Sequence, residues 1–149
     1  MNISLASFSR PHPLAPHWAM QYLGRPWVAD AHGPHAFNCW TFARHVQRVH
    51  FGRTLAVVDV LPDDDAAVRA AMLHHPERDN WRVTREPVDG DLVMAPLYTG
   101  DTHIGIWTPV DGGKIVQCAR GWGVVALTRD RMAMLGCIRP HFYHPVASA

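Results

Sequence analysis

No stretch of this 149-residue chain approaches the run of about eighteen apolar residues that a membrane span requires, so no helical span is expected. Cysteine is scarce. Three residues cannot close the disulfide framework of a stapled secreted scaffold, and at least one thiol is left for other work. An excess of one charge is also missing: 14 Lys and Arg stand against 13 Asp and Glu, a net of +1. Without a global field, neither nucleic acid nor an anionic membrane is an expected partner. The opening MNISLASFSRPHPLAPHW lacks a charged start and an unbroken apolar core, and its three prolines break any helix. A secretory signal is therefore not expected, and synthesis in the cytoplasm is. What is present is globular composition, 48 % hydrophobic and 18 % charged, at the length of one domain. Histidine is plentiful at eleven residues, most of them able to act near neutral pH.

The pattern along the chain predicts a loose arm over 1–16, one domain over 17–144 and a short tail over 145–149. Trp18, Ala19, Tyr22 and Leu23 share one face of a short helix that Gly24 stops. Residues 25–37, rich in Pro, Gly and His, read as a loop. A stronger helix follows over 38–51, with Asn38 as N-cap, Cys39, Phe42, Ala43, Val46 and Val49 as its apolar positions, and Gly52 as its end. Pro62 and the acids Asp63, Asp64 and Asp65 open another helix through Leu73. After Trp81 the spacing becomes that of strands: 91–95, 103–107, 114–119, 123–128 and a last one over 137–143. Asp111-Gly112-Gly113 connects the second and third, and the strands are expected to form a meander. Helices first and an antiparallel sheet after make the class α+β.

Of the three cysteines, Cys118 and Cys137 sit in apolar strand-like settings and read as core. Cys39 falls in the first turn of a helix, where unpaired N–H groups and the dipole favour a thiolate. A base for it is available in His103, at the head of a strand, with Gly105 leaving space beside the ring on the same face. Gln117 falls roughly opposite if the hairpin closes near Val110. Its amide oxygen then accepts the second imidazole N–H, the orienting role of a third member. Trp27, Trp40 and Trp122 are candidates for flat cleft walls beside this site, and each can equally serve the core. A rival reading gathers His32, His35, Cys39 and His103 into a zinc site.

These residues resemble a known family. Phe37-Asn-Cys-Trp-Thr-Phe-Ala-Arg-His-Val is similar to the nucleophile motif of the NlpC/P60 cysteine peptidases. Asp89-Gly-Asp-Leu-Val-Met, then His103-Ile-Gly-Ile-Trp, resemble that family's Gly-Asp and histidine strands. Ile115-Val-Gln-Cys-Ala with Gly121-Trp-Gly-Val resembles the stretch carrying its third polar residue. Tyr22-Leu-Gly-Arg-Pro-Trp and Arg139-Pro-His-Phe-Tyr are similar to the branch found among phage tail proteins. The likeness runs from about Trp18 to Tyr143.

The resemblance implies a papain-like α+β core, the nucleophile helix packed on an antiparallel sheet, with 17–144 as the catalytic domain. It implies Cys39 as nucleophile, His103 as base and Gln117 as orienting group, with Trp27, Asn38, Trp40 and Trp122 on the substrate side. The implied reaction is hydrolysis of peptide bonds in peptidoglycan stem peptides, often between D-γ-glutamyl and diaminopimelate, with no cofactor. Phage tail or secretion-system proteins are the implied partners beside the stem peptide, and the virion tail or the cell wall the implied destination. The chain departs from the family pattern at two positions: Asn38 stands where Asp is usual, and Gln117 where His is most frequent. A tail component that binds without catalysis, and an amidase or acyltransferase with another substrate, are the alternatives.

Overall fold

In the computed structural model the described residues are 17–58, 67, 70, 71, 74–96, 102–137 and 139–146. Helix α1 (Cys39–Phe51) starts where its sequence can satisfy the first N–H groups. Asn38 Oδ1 accepts from the Thr41 N–H at 2.9 Å, and Thr41 Oγ1 accepts in return from the Asn38 N–H at 2.9 Å. This reciprocal box fixes the first turn. Gly52, at φ 65°, adopts the left-handed cap that ends the helix.

Among the described residues six strands follow: β1 (Trp81–Thr84), β2 (Leu92–Pro96), β3 (Thr102–Thr108), β4 (Lys114–Ala119), β5 (Gly123–Leu127) and β6 (His141–Pro145). They form one antiparallel sheet in the order β1-β6-β2-β3-β4-β5. A short helix, α2 (Arg129–Met134), lies between β5 and β6 in the chain. Helix and antiparallel sheet together make the class α+β, as the residue pattern implies.

Each face of the sheet buries a different set of side chains, because successive strand residues alternate. Tyr22, Phe37, Phe42, Ala43 and Val46 pack on Leu92, Ile104, Ile106, Val116 and Cys118 under α1. On the other face Val93, Ala95, Trp107 and Ile115 pack with Met132 of α2, Cys137 and Phe142. Gln47 is the polar exception in α1. It is fully buried, donates to Gly90 O at 2.7 Å and accepts from Arg53 Nη1 at 3.0 Å. The far end of the helix is thereby tied to the turn before β2. In that turn Asp91 is fully buried, accepting from the Val88 N–H at 2.9 Å and facing His144 Nδ1 at 2.6 Å. The Asp89-Gly-Asp segment is thus a structural joint between β2 and β6.

Several expectations need correction. The strand expected over 137–143 is shorter and later, and β6 lies between β1 and β2 instead of extending a meander beyond β5. Two elements, β1 and α2, stand where none was expected. The first short helix is a 3-10 turn, Trp18–Gln21, and the supposed face residues Leu23 and Val49 are exposed. The helix expected over 62–73 lies largely outside the described residues, although Ala67, Ala70 and Ala71 within it are helical. Asp111-Gly112-Gly113 does join β3 to β4, with Asp111 at φ 51° inside a 3-10 turn. Among the described residues no helix is long and apolar enough to cross a membrane.

Candidate active site

Cys39 is the first residue of α1, half-buried against the core on the β3 and β4 side. Its surroundings follow from strand geometry. Trp107 exchanges backbone bonds at its β2 side, donating to Asp91 O at 2.8 Å and accepting from Gly90 at 2.9 Å. By antiparallel alternation Ile104 and Ile106 turn their N–H groups the other way, toward β4. The β3–β4 ladder, however, ends at Ile106–Val116, while β4 continues beside β5 to Ala119–Gly123. At this fork the Ile104 N–H is directed to the Cys39 sulfur. The backbone N–H groups of Trp40 and Cys39 converge on the same atom.

Those three donors and the Arg120 charge favour a thiolate, but burial outweighs them and pushes the thiol up to about 11. The expected thiolate-stabilising helix start is therefore corrected: at neutral pH Cys39 is a thiol and needs a base. Cys118, nearby on β4, donates its S–H to Phe37 O at 3.3 Å and is driven by burial to about 12. Cys137 is buried and raised as well, again chiefly by burial.

His103 is the second residue of β3, half-buried, opposite Ala95 in β2 and directly before Ile104. The Ile104 nitrogen that faces the sulfur is bonded to the His103 carbonyl carbon. Gly105 is not the open space expected beside the ring. A Cβ built there would lie 2.8 Å from Ile115 Cγ2, 3.0 Å from Val116 O and 3.4 Å from Gln117 Cβ. The glycine lets β4 close against β3. Gln117 thus shares the Gly105 face, and His103, two residues away, belongs to it by the pleat.

Gln117 is 2 % exposed, and its Nε2 points to Met132 Sδ at 3.8 Å. Its Oε1 is buried and accepts no hydrogen bond among the described residues. The expected bond from the His103 ring to this oxygen is accordingly not formed. Cys39 and the end of β3 are brought together; the orienting contact is not.

The remaining candidates divide. Asn38 is buried, with Oδ1 committed to Thr41 and Nδ2 to Ala29 O at 2.9 Å, so its side chain serves the fold and not a substrate. Trp40 donates its indole N–H to Ala56 O at 3.0 Å and packs on the core, strapping the segment after α1 to the helix. Trp27 is half-buried with the Arg120 guanidinium 4.9 Å over its ring, and Trp122 is 56 % exposed in the turn after β4. His32 and His35, of the zinc alternative, are exposed. Among the described residues no three His, Cys, Asp or Glu side chains group to hold a metal ion. Arg120 was missed by the sequence reading. Its signal was its place in Ala119-Arg-Gly-Trp, one step beyond the residues read as the site.

No family model matches this chain, and no curated protein matches it.

Proposed function

We propose that this chain is a cysteine hydrolase of NlpC/P60 type that cleaves peptide bonds in bacterial cell-wall stem peptides. The observation that carries the reading is the convergence of the Cys39, Trp40 and Ile104 N–H groups on a helix-start sulfur at the end of β3 that carries His103. The His103 side chain hangs from the opposite face of β3, so this reading requires its imidazole to reach the sulfur around the open β3–β4 fork. His103 removes the proton that burial holds on Cys39, and the thiolate attacks the scissile carbonyl. Backbone N–H groups that face the sulfur are placed for the oxyanion that forms next to it. The intermediate collapses with cleavage of the C–N bond as the His103 imidazolium gives its proton to the departing amine, and water then hydrolyses the thioester and frees Cys39. In this reading Gln117 is the orienting group, a role that requires its buried oxygen, which accepts no hydrogen bond among the described residues, to take the ring N–H.

The unbonded Gln117 oxygen and the protonated thiol favour one second reading: a tail or assembly module that binds wall peptide at the same site without cleaving it. One experiment separates the two. Wild-type chain, Cys39→Ala and His103→Ala are incubated with purified wall peptides and the products read by mass spectrometry. Wild type should release fragments, Cys39→Ala should release none, and His103→Ala should be slower by about 10²–10⁴. Binding without cleavage by the wild type selects the second reading.

A further inference from the structure

The sheet has an open side away from Cys39. β1 stands at one end of the strand order, paired to β6 on its inner side and to no strand on its outer side among the described residues. The phase of its backbone follows from a bond just before it, Val146 N–H to Asn80 O at 2.8 Å. Bonded and non-bonded positions alternate in an antiparallel ladder, so Arg82 and Thr84 are the residues that bond to His144 and Phe142 of β6. The N–H and C=O of Val83 therefore point outward, and no described residue bonds to them. The Val83 side chain is 63 % exposed. The strand itself is anchored: Trp81 packs on the core with the Arg53 guanidinium 5.9 Å from its ring, and its N–H bonds back to Arg78 O. An unpaired backbone edge is thus held in a fixed place, the arrangement on which an extended chain can add as a further strand.

The side chains along this edge say which chain fits. Arg82 and Thr84 stand on the face of Phe142 and His144, and Val83 on the face of Tyr143. Arg82 and Arg85 are exposed, and neither forms an ion pair or a side-chain hydrogen bond among the described residues. The nearest acids lie outside the strand: Asp79 in the 3-10 turn Pro76–Asn80 before it, and Glu86 beyond Arg85, where the Glu86 N–H turns back to Thr84 Oγ1 at 3.2 Å. Pairing with a second copy would line up the Arg82 and Arg85 side chains of both chains along one seam, and like charges in that position repel. A cationic edge excludes its own kind and selects an acidic strand.

We propose that the β1 edge docks an acidic extended segment of another protein, with an apolar residue opposite Val83 and carboxylates beside Arg82 and Arg85. Docking here uses neither Cys39 nor His103, so it is tested independently of the hydrolase reading. The isotope-labelled full chain is titrated with two synthetic peptides and its backbone amides are followed by NMR. The acidic probe is acetyl-Thr-Glu-Thr-Val-Glu-Thr-amide. Laid antiparallel to β1, its valine falls opposite Val83 and its glutamates fall beside Arg85 and Arg82. The control peptide carries lysine in place of both glutamates.

The acidic peptide should shift the Val83 amide and its β1 neighbours and slow exchange of the Val83 N–H. Its Kd should be about tenfold below that of the lysine peptide, the size of two surface charge pairs turned from repulsive to attractive. Arg82→Glu/Arg85→Glu should invert the preference. Val83→Pro should abolish binding of the acidic peptide, because its nitrogen faces away from β6 and proline there removes the docking donor while sparing the ladder. The amide spectrum away from β1 reports whether each variant is folded, and charge reversal decides alone if the proline variant is not. Equal affinity for the two peptides, or binding that survives Val83→Pro in a folded chain, overturns the proposal. So do shifts centred on α1 and Cys39 instead of β1, and no shift at millimolar peptide. Broadening of the β1 amides with protein concentration and no peptide present would assign the edge to a second copy instead.

Discussion

Cys39 is held between two opposing influences. Three backbone N–H groups and a nearby arginine favour the thiolate, whereas removal from water favours the thiol and prevails, at about 11. Alkylation should report this balance, because the thiolate is the reacting form. Iodoacetamide should label Cys39 slowly at pH 7 and progressively faster as pH rises toward 11, ahead of the fully buried Cys118 and Cys137. Mass spectrometry of tryptic peptides across that range is the check. Rapid labelling at pH 7 that does not change with pH would show a thiolate already formed and remove the need for His103. The place of Cys39 at a helix start was legible in the residues, since Asn38 and Thr41 are a local capping signal. Its depth was not. Burial here comes from the core that includes Ile104 and Cys118, residues far from Cys39 in the chain whose closeness only the folded sheet creates. The same limit hid the neighbour of Gln117, Met132, from a helix that the residue pattern did not announce.

Among the elements, α1 bears most directly on the site, because its first turn sets the position of the sulfur. Asn38 does two things there: Oδ1 caps the helix and Nδ2 holds Ala29 O in the preceding loop. Replacing a cap of this kind by Ala costs about 1 kcal/mol, with the lost loop contact adding to it. Asn38→Ala should therefore lower Tm by about 3–6 °C for a chain of this size. Asn38→Asp should fall between, keeping the acceptor and gaining from the helix dipole but losing the donor to Ala29. A thermal melt of the three proteins decides it; an unchanged Tm for Asn38→Ala would mean that the cap does not hold the helix start. Elements of this kind are the ones a sequence declares. The bounds of α1 and β4 follow from caps, Gly52 and alternation within a few residues. The position of β6 does not. Its neighbours β1 and β2 are set by nonlocal pairing, including Asp91 facing His144 across the sheet. The six residues of α2 are also too few to show a helical period beside a strand-rich stretch.

At the scale of the whole molecule, half-buried histidines on the acid side and more deeply set thiols on the alkaline side shape stability against pH. On the acid side, His45 and His50 surround Tyr22, with His50 Nε2 2.8 Å from the phenol oxygen and the His45 ring centre 5.4 Å from the Tyr22 ring. Both are lowered from 6.5, chiefly by burial and further by neighbouring cations, Arg48 for His45 and His17 for His50. The unfolded chain thus binds protons that the folded one refuses, so the stability present above pH 6.5 is lost as pH falls below it. On the alkaline side, Cys39 and Cys118 are raised from 9.0 to about 11 and about 12. Here the unfolded thiols ionise first, and stability present below pH 9 is lost as pH rises through that window. Tm plotted against pH should therefore be highest between about 6.5 and 9, falling on either side. Two variants assign the limbs. His50→Gln should flatten the acid limb and leave the alkaline one, and Cys118→Ala should do the reverse. Each is compared by slope and not by absolute Tm, since each also loses packing or a hydrogen bond, such as the Cys118 S–H to Phe37 O. If both variants run parallel to the wild type at every pH, these groups titrate alike folded and unfolded. The aromatic cluster around Tyr22 and the buried thiols beside Cys39 would then not be as sealed from water as the packing requires.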